Sequence, residues 1–391
     1  MSPKKRSGSV SPEQDEPRCR LRHIAELEQS TPLERQTSAL CAISSNPDTG
    51  ESWPSMYEAA KRRATSYKPT KRPNDLQLTS TLLAFLEWLP EQGQRSVAKD
   101  INEAQTDESL WEVFHNLVTG LLYPMKARST KNSVTPSPHS WRRSNAEVVA
   151  AALMEPQSRG DKFREDCLRR DGDRCVISKS MSSDAWTKLG RPSDVRSTYL
   201  EAAHIIPFSY ASWDNSSVCD LPSSKPTAAT SDVSDAWEVL FRCFPAVRRM
   251  GLRVEKINEL FNEMTLTRDL HYPFGVFTIA LVATDIPHLY KVKAYPECPT
   301  DIQRQLPEDS LVRFEKAKGA EHLPLPDPAC LDCHHRLAEI LHISGMGDYI
   351  DKKLRDWEQL KGSAGPGHLS ADGTTDIRRF LQVALWQSVA G

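Results

Sequence analysis

The stretch that decides the fold is Glu201-Ala202-Ala203-His204-Ile205-Ile206-Pro207. Its small and β-branched residues predict an extended strand, which the proline closes. A lone histidine among Ala and Ile is most often a buried structural residue. The pKa of His, about 6.5 in water, also suits a general base that takes a proton at neutral pH.

Two polar residues later in the chain give His204 candidate partners. Asn262 carries an amide that can hold an imidazole in one orientation. His271 follows after eight intervening residues, in a segment predicted as helical, and a histidine on a helix is a common metal ligand. The three residues together are harder to explain as ordinary structural residues than His204 alone.

Composition excludes several classes of protein. The chain has 391 residues, 39% of them hydrophobic, and a formal net charge of −2, which excludes a uniformly basic protein but allows a local basic groove. Its longest apolar run, Phe274 to Ala283, is too short to span a bilayer. The charged start, Met1 to Arg6, has no apolar segment behind it, so we expect no secretory signal and no membrane partner. Nine cysteines then fit an intracellular protein, nuclear or cytoplasmic.

Apolar periodicity and Pro-rich breaks predict an α+β protein. The expected order is a disordered basic tail (1–20), a helical region (21–125), a linker (126–145), a central domain (146–300), a Pro-rich linker (301–328) and a C-terminal helical extension (329–391). Within the central domain, Arg174 to Ile177 predicts a strand, 209–235 a loop, and the segments around Pro287 a β-hairpin.

Three motifs in order resemble the HNH endonuclease domain: Arg170-Asp171-Gly172-x-x-Cys175, then Ala202-Ala203-His204-Ile205-Ile206-Pro207-Phe208, then Asn262-x8-His271-x-x-Phe274. They are closest to the variant found in many fungal proteins of this size. The resemblance covers about residues 160–295, and 330–391 in part. It leaves 1–125 unexplained.

The resemblance implies a ββα-metal fold around one divalent cation and hydrolysis of phosphodiesters, in DNA before RNA. In that family His204 would activate a water, Asn262 would orient His204, and His271 would bind the cation. Magnesium or manganese would suit a site completed by oxygen ligands, and zinc or nickel one with more nitrogen. Arginines near the site, Arg169, Arg170 and Arg174, would hold phosphates without reading base sequence.

Two departures from the family pattern weaken the expected metal site. Family members often carry a ligand where this chain has Ala203, and usually an Asp where it has Gly275, one helical turn after His271. Pro273 would disturb that helix. Glu201 is a substitute carboxylate, although strand alternation points it away from His204. A second metal motif, Cys330-x-x-Cys333 with His334 and His335, lacks a matched second pair and is expected to be ordinary packing.

The sequence therefore supports two functions and leaves a third open. The first is a metal-dependent HNH-type endonuclease with His204 as general base. The second is a degenerate, non-catalytic HNH-fold module that binds nucleic acid or a protein partner. The third is a helical partner-binding protein in which 21–125 matter most. Convergence of His204, Asn262 and His271, and a carboxylate near His271, would discriminate among them.

Overall fold

The computed structural model of the chain describes residues 52–126, 134–151, 153, 155–158, 161–212 and 228–363. The chain divides into two units, Met1–Pro47 and Asp48–Gly391, and every described residue lies in the second. The architecture mixes helices with small sheets, as the α+β prediction requires. Within the described ranges, no helix is long and apolar enough to cross a membrane. The predicted tail at 1–20 and the start of the predicted helical region lie outside the described residues.

The first part of the described chain is helical. Its helices are α1 (Trp53–Thr65), α2 (Leu78–Trp88), α3 (Glu91–Glu103), α4 (Asp107–Leu117) and α5 (Tyr123–Lys126), with a π-helical turn, Val118–Leu122, between the last two. Pro90 separates α2 from α3, because proline fits just outside a helix start but not within it. Thr106 and Ser109 cap the start of α4 reciprocally.

Two later helices complete this body: α6 (Ser140–Ala150) and α9 (Ala228–Cys243) pack against each other, and α9 also contacts α3 and the π-helical turn. The structure thus corrects two boundaries. Residues 140–145, predicted as the end of a linker, begin α6, and the predicted loop at 209–235 gives way to α9 at Ala228. Arg142, which looks like part of a linker in sequence, is buried here because it bonds Asp100 and Glu238.

A buried group of two arginines and two carboxyl groups joins α3, α6 and α9. Asp100 accepts hydrogen bonds from Arg142 Nε at 3.1 Å and Arg242 Nη1 at 2.9 Å. Arg142 Nη1 reaches Glu238 at 3.4 Å. All four side chains are at most 3% exposed, so each charge depends on its partners for the solvation that water no longer supplies.

The central sheet has two antiparallel strands, β3 (Leu200–His204) and β4 (Glu263–Thr267). Helix α7 (Asp161–Arg170) packs on this sheet, and α11 (Arg268–Gly275) follows β4 directly and also packs on it. The register pairs Leu200 with Thr267 at one end and His204 with Glu263 at the other. The strand prediction at His204 and the helix prediction at His271 are both confirmed.

The segment before β3 is less regular than predicted. Arg174 to Ile177 forms a turn with a single bridge from Arg174 to Met181, and the prediction of a strand there was wrong. The backbone of Gly172 and Asp173 has positive φ, so the chain turns sharply before a strand can form. Short elements follow: β1 (Met181–Ser182), α8 (Ser183–Lys188) and β2 (Ser197–Thr198), with α10 (Pro245–Arg249) after α9.

A second sheet lies after α11. The predicted hairpin is confirmed as β5 (Ile279–Ala283) and β6 (Leu289–Ala294). Strand β7 (Leu311–Arg313) pairs with β6 and α12 spans Thr300–Gln303, so part of the predicted Pro-rich linker belongs to the fold. Helix α13 (Pro328–Ser344) covers β5 and contacts α2, and α14 (Met346–Ser363) follows it.

The buried charge group predicts a large cost for losing Asp100. Asp100→Ala should lower the free energy of unfolding by about 3–5 kcal/mol, because it leaves two buried arginines with Glu238 as their single carboxylate in this group. Urea unfolding would measure the change. Glu91→Ala is the control, since Glu91 pairs with Arg95 at the surface and its loss should cost under about 1 kcal/mol. Equal costs for the two variants would contradict this account.

Candidate active site

His204 ends β3 on the face of the sheet that α7 covers. Its ring stacks on Phe163 of α7, with centroids 4.8 Å apart, and lies 5.7 Å from Phe208. Only 8% of the side chain is exposed. The imidazole is therefore held between aromatic rings with little contact to solvent.

Asn258 is the hydrogen-bond partner that defines the protonation of His204. His204 Nε2 lies 3.1 Å from Asn258 Oδ1, while Asn258 Nδ2 donates to the Ser158 carbonyl at 3.0 Å. That second bond sets the orientation of the amide and leaves its oxygen facing His204. Because an amide oxygen only accepts, the arrangement assigns the proton to Nε2 and the lone pair to Nδ1.

Glu263, the register partner of His204, is a buried acid. It is fully buried, and neither carboxyl oxygen has a hydrogen-bond partner among the described residues. Burial raises the pKa of the Glu263 carboxyl to about 10. Its Oε1 lies 3.4 Å from His204 Nε2, longer than an ordinary hydrogen bond. Glu263 is thus a neutral acid at pH 7, and the contact is not an ion pair.

Asn262 holds the backbone around the site. Its Oδ1 accepts from the Ile206 N–H at 2.8 Å, and its Nδ2 donates to the carbonyls of Ile206 and Ile257. The amide is fully used by these bonds and does not touch the imidazole. Asn258 makes the orienting contact to His204 that was expected of Asn262. Asn262 affects His204 only indirectly, by holding the backbone of Ile206 two residues later.

His271 lies on the other face of the sheet, paired with Glu201. Its Nδ1 is 2.6 Å from Glu201 Oε2, and both side chains are about two-fifths exposed. Arg268, one turn earlier in α11, lies 3.8 Å from the same carboxylate. Glu201 therefore supplies a carboxylate to His271 from the strand, although it does point away from His204 as alternation predicts.

The sequence-predicted residues consequently form two clusters. His204 faces α7, with Asn258 and Glu263, while His271 faces Glu201 on the side of α11. Three residues of strand separate Glu201 from His204, about 10 Å. Asn262 belongs to neither cluster, because its amide bonds the backbone of Ile206 and Ile257. Sequence reasoning missed Asn258 and Glu263, although the position of Glu263 directly after Asn262 makes it the cross-strand neighbour of His204 once the register is known.

Gly275 leaves room for the carboxylate that the family pattern carries. It is exposed, it lies one turn after His271, and a Cβ built on it meets no atom within 4 Å. Helix α11 runs through Pro273, which is buried, and ends at Gly275. The expected disturbance by Pro273 does not stop the helix from reaching this position.

Glu201 and His271 are chemically suited to a divalent cation. A histidine that ligates a metal commonly gives its other ring nitrogen to a carboxylate, as His271 Nδ1 does here. Magnesium is often held by one or two carboxylates, with water and substrate phosphate completing its shell. Within the described ranges, no group of three or more His, Cys, Asp or Glu side chains is arranged to hold a metal. The pair thus offers one imidazole nitrogen, His271 Nε2, to a cation whose other ligands would have to come from water and phosphate.

The three arginines predicted to hold phosphates differ in position. Arg170 is fully buried and donates to Asp171 and to the carbonyls of Leu260 and Glu263. This corrects the prediction for Arg170, because its guanidinium is used inside the fold. Arg169 is exposed beside Asp166, and Arg174 is half-buried and bonds the Lys179 carbonyl.

The Cys330–Cys333 motif is packing. Both thiols are free and buried, and burial raises the pKa of each. His334 is sandwiched between Phe274 and Phe277, with ring centroids 3.8 and 4.4 Å away. Burial lowers the pKa of His334 to about 3, so it is a neutral core residue.

Neutral Glu263 predicts a specific pH dependence of stability. The folded protein keeps a proton that the unfolded chain releases above about pH 4.3, so Glu263 makes the free energy of unfolding fall as pH rises towards 10. Glu263→Gln removes this contribution. In urea unfolding between about pH 5 and 8, the free energy of unfolding of the variant should rise relative to that of the wild type by up to about 1.4 kcal/mol per pH unit. Parallel stability curves would contradict a buried neutral acid.

Comparison with known proteins agrees with the site. No curated protein and no solved structure matched the chain significantly. The HNH endonuclease family model matches residues 175–282. The match spans both clusters, from before β3 to within β5, and includes Glu201, His204, Asn262 and His271. Residues 175–282 are therefore similar to an HNH endonuclease domain.

Proposed function

We propose that this chain is a metal-dependent endonuclease that hydrolyses nucleic-acid phosphodiesters, DNA before RNA. The observation that carries the proposal is the Glu201–His271 pair, 2.6 Å apart and partly exposed, inside the segment that matches the HNH endonuclease family. Glu201 holds His271 from the strand, as a carboxylate commonly does for a histidine that ligates a metal.

His271 would hold the cation through Nε2 with its ring oriented by Glu201, and His204 would be the general base. A bound cation would stabilise the negative charge that develops on the phosphate during hydrolysis. Arg268, beside Glu201, would neutralise a substrate phosphate. The tautomer set by Asn258 leaves a lone pair rather than a proton on Nδ1 of His204, which is the protonation state that a general base requires. A protonated Glu263 nearby adds no negative charge to the imidazole.

The position of His204 favours a second candidate function. His204 is 8% exposed and on the opposite face from His271. A base so enclosed can take a proton only from a water at the end of β3. This arrangement supports a non-catalytic HNH-fold module that binds nucleic acid, in which His204 is structural.

A cleavage assay separates the two functions. Plasmid and single-stranded DNA would be incubated with magnesium, manganese, zinc or nickel, with EDTA as the metal-free arm. We expect metal-dependent cleavage that falls about 10²–10⁴-fold in His204→Ala, as for loss of a general base. Glu201→Gln and His271→Ala should instead raise the metal concentration needed for half-maximal cleavage.

His322→Ala is the matched control, since His322 is exposed and distant in sequence from the site; its activity should equal that of the wild type. Cleavage that survives His204→Ala would remove His204 as the base. No cleavage by the wild type in any metal would refute the nuclease and leave the binding module.

Gly275 allows a gain-of-function test. Gly275→Asp would place a carboxylate one turn from His271, in space that is open. We expect it to bind Mn²⁺ about tenfold more tightly than the wild type in calorimetric titration, because each added oxygen ligand strengthens a hard-cation site. Gly275→Asn is the control with the same shape and no charge. Equal affinities for the two variants would show that no cation binds beside His271.

A further inference from the structure

Two exposed tyrosines flank the Glu201–His271 pair. Tyr199 is 77% exposed and Tyr272 is 58% exposed. Large aromatic side chains are usually at least partly covered in a folded protein. Two of them beside one candidate active site therefore call for a ligand with flat, apolar faces.

Backbone geometry places both rings on one surface. The Tyr199 carbonyl accepts a hydrogen bond from the Arg268 N–H at 3.2 Å, so Tyr199 lies at the start of α11. Arg268, His271 and Tyr272 then follow at helical spacing on the exposed side of α11. These elements form one continuous surface, which we call the tyrosine face; it consists of Tyr199, Glu201, Arg268, His271 and Tyr272.

Arg268 gives the tyrosine face a positive charge beside Tyr199. Its side chain is 79% exposed, and its backbone N–H donates to the Tyr199 carbonyl. A phosphate that passes Tyr199 would therefore meet a guanidinium.

We propose that the tyrosine face binds a single-stranded segment of nucleic acid, with bases stacked on Tyr199 and Tyr272 and a phosphate on Arg268. This rests on the proposed function and specifies its substrate. Exposed aromatic rings stack unpaired bases of any sequence, whereas the bases of a duplex are already stacked on one another. The Glu201–His271 pair lies between the two tyrosines, where the backbone of such a strand would pass.

Binding is tested apart from cleavage by working in EDTA. Fluorescence anisotropy of the full chain would use labelled oligo-dT and oligo-U of about 20 nucleotides, and a DNA duplex of the same length. We expect both single strands to bind more tightly than the duplex. The double variant Tyr199→Ala/Tyr272→Ala should weaken single-strand binding about a hundredfold, about tenfold for each stacked base. A preference between oligo-dT and oligo-U identifies the sugar.

Three further variants separate stacking from folding and from charge. Tyr199→Phe/Tyr272→Phe keeps both rings and should bind as the wild type does. Leu76→Ala removes an exposed apolar side chain just before α2 in the helical body and should change nothing. Arg268→Gln should weaken binding and reduce its salt dependence by about one phosphate.

Duplex binding as tight as single-strand binding, or full affinity in the double Ala variant, would overturn the proposal, and the face would then be assigned to a protein partner. Tyrosine-dependent binding without cleavage would refute only the nuclease. Cleavage that ignores the tyrosines would refute only the tyrosine face.

Discussion

The antiparallel pairing of β3 with β4 is the constraint on which the rest of the site depends. Because side chains alternate along a strand, the register that puts His204 opposite Glu263 also puts Glu201 opposite Leu266. The first pair then faces α7 and the second faces α11. A shift of one residue would exchange the two faces. It would bury Glu201 against Phe163 and bring His204 towards His271. Asn262 opposes such a shift, because its amide bonds the backbone of Ile206 and Ile257 from inside the fold.

Helix α9 connects the helical body to the segment that matches the HNH endonuclease model. Helix α9 lies between His204 and Asn262 in sequence, yet it packs against α3 and α6. Its residues Glu238 and Arg242 take part in the buried charge group with Asp100 and Arg142. Such a group is specific, because any other packing leaves a charge unpaired. Helix α9 is therefore anchored to α3 and α6 by these buried charges.

Local sequence signals predicted much of this arrangement. The strand at His204 and the hairpin around Pro287 follow from short patterns of apolar residues and proline, whereas the helix at His271 was implied by the family resemblance. Contacts between residues that are far apart in the sequence could not be predicted from these local patterns. Arg170 looks like a surface cation in sequence, but its neighbours in space are carbonyls of Leu260 and Glu263, some ninety residues later. Glu263 likewise reads as an ordinary exposed acid until the register places it behind His204. Both depend on tertiary burial, which residue type alone does not encode.

The source of the carboxylate beside His271 changes what the site can bind. An Asp at position 275 would reach a cation from the same helix as His271, one turn away. Glu201 approaches instead from β3, across the gap between sheet and helix, and already bonds His271 and lies near Arg268. Its charge is thus shared among an imidazole, a guanidinium and any cation that binds. A phosphate drawn by Arg268 would relieve that competition, because it adds negative charge where the guanidinium now draws on Glu201. Cation and substrate should therefore bind here cooperatively, each improving the site for the other.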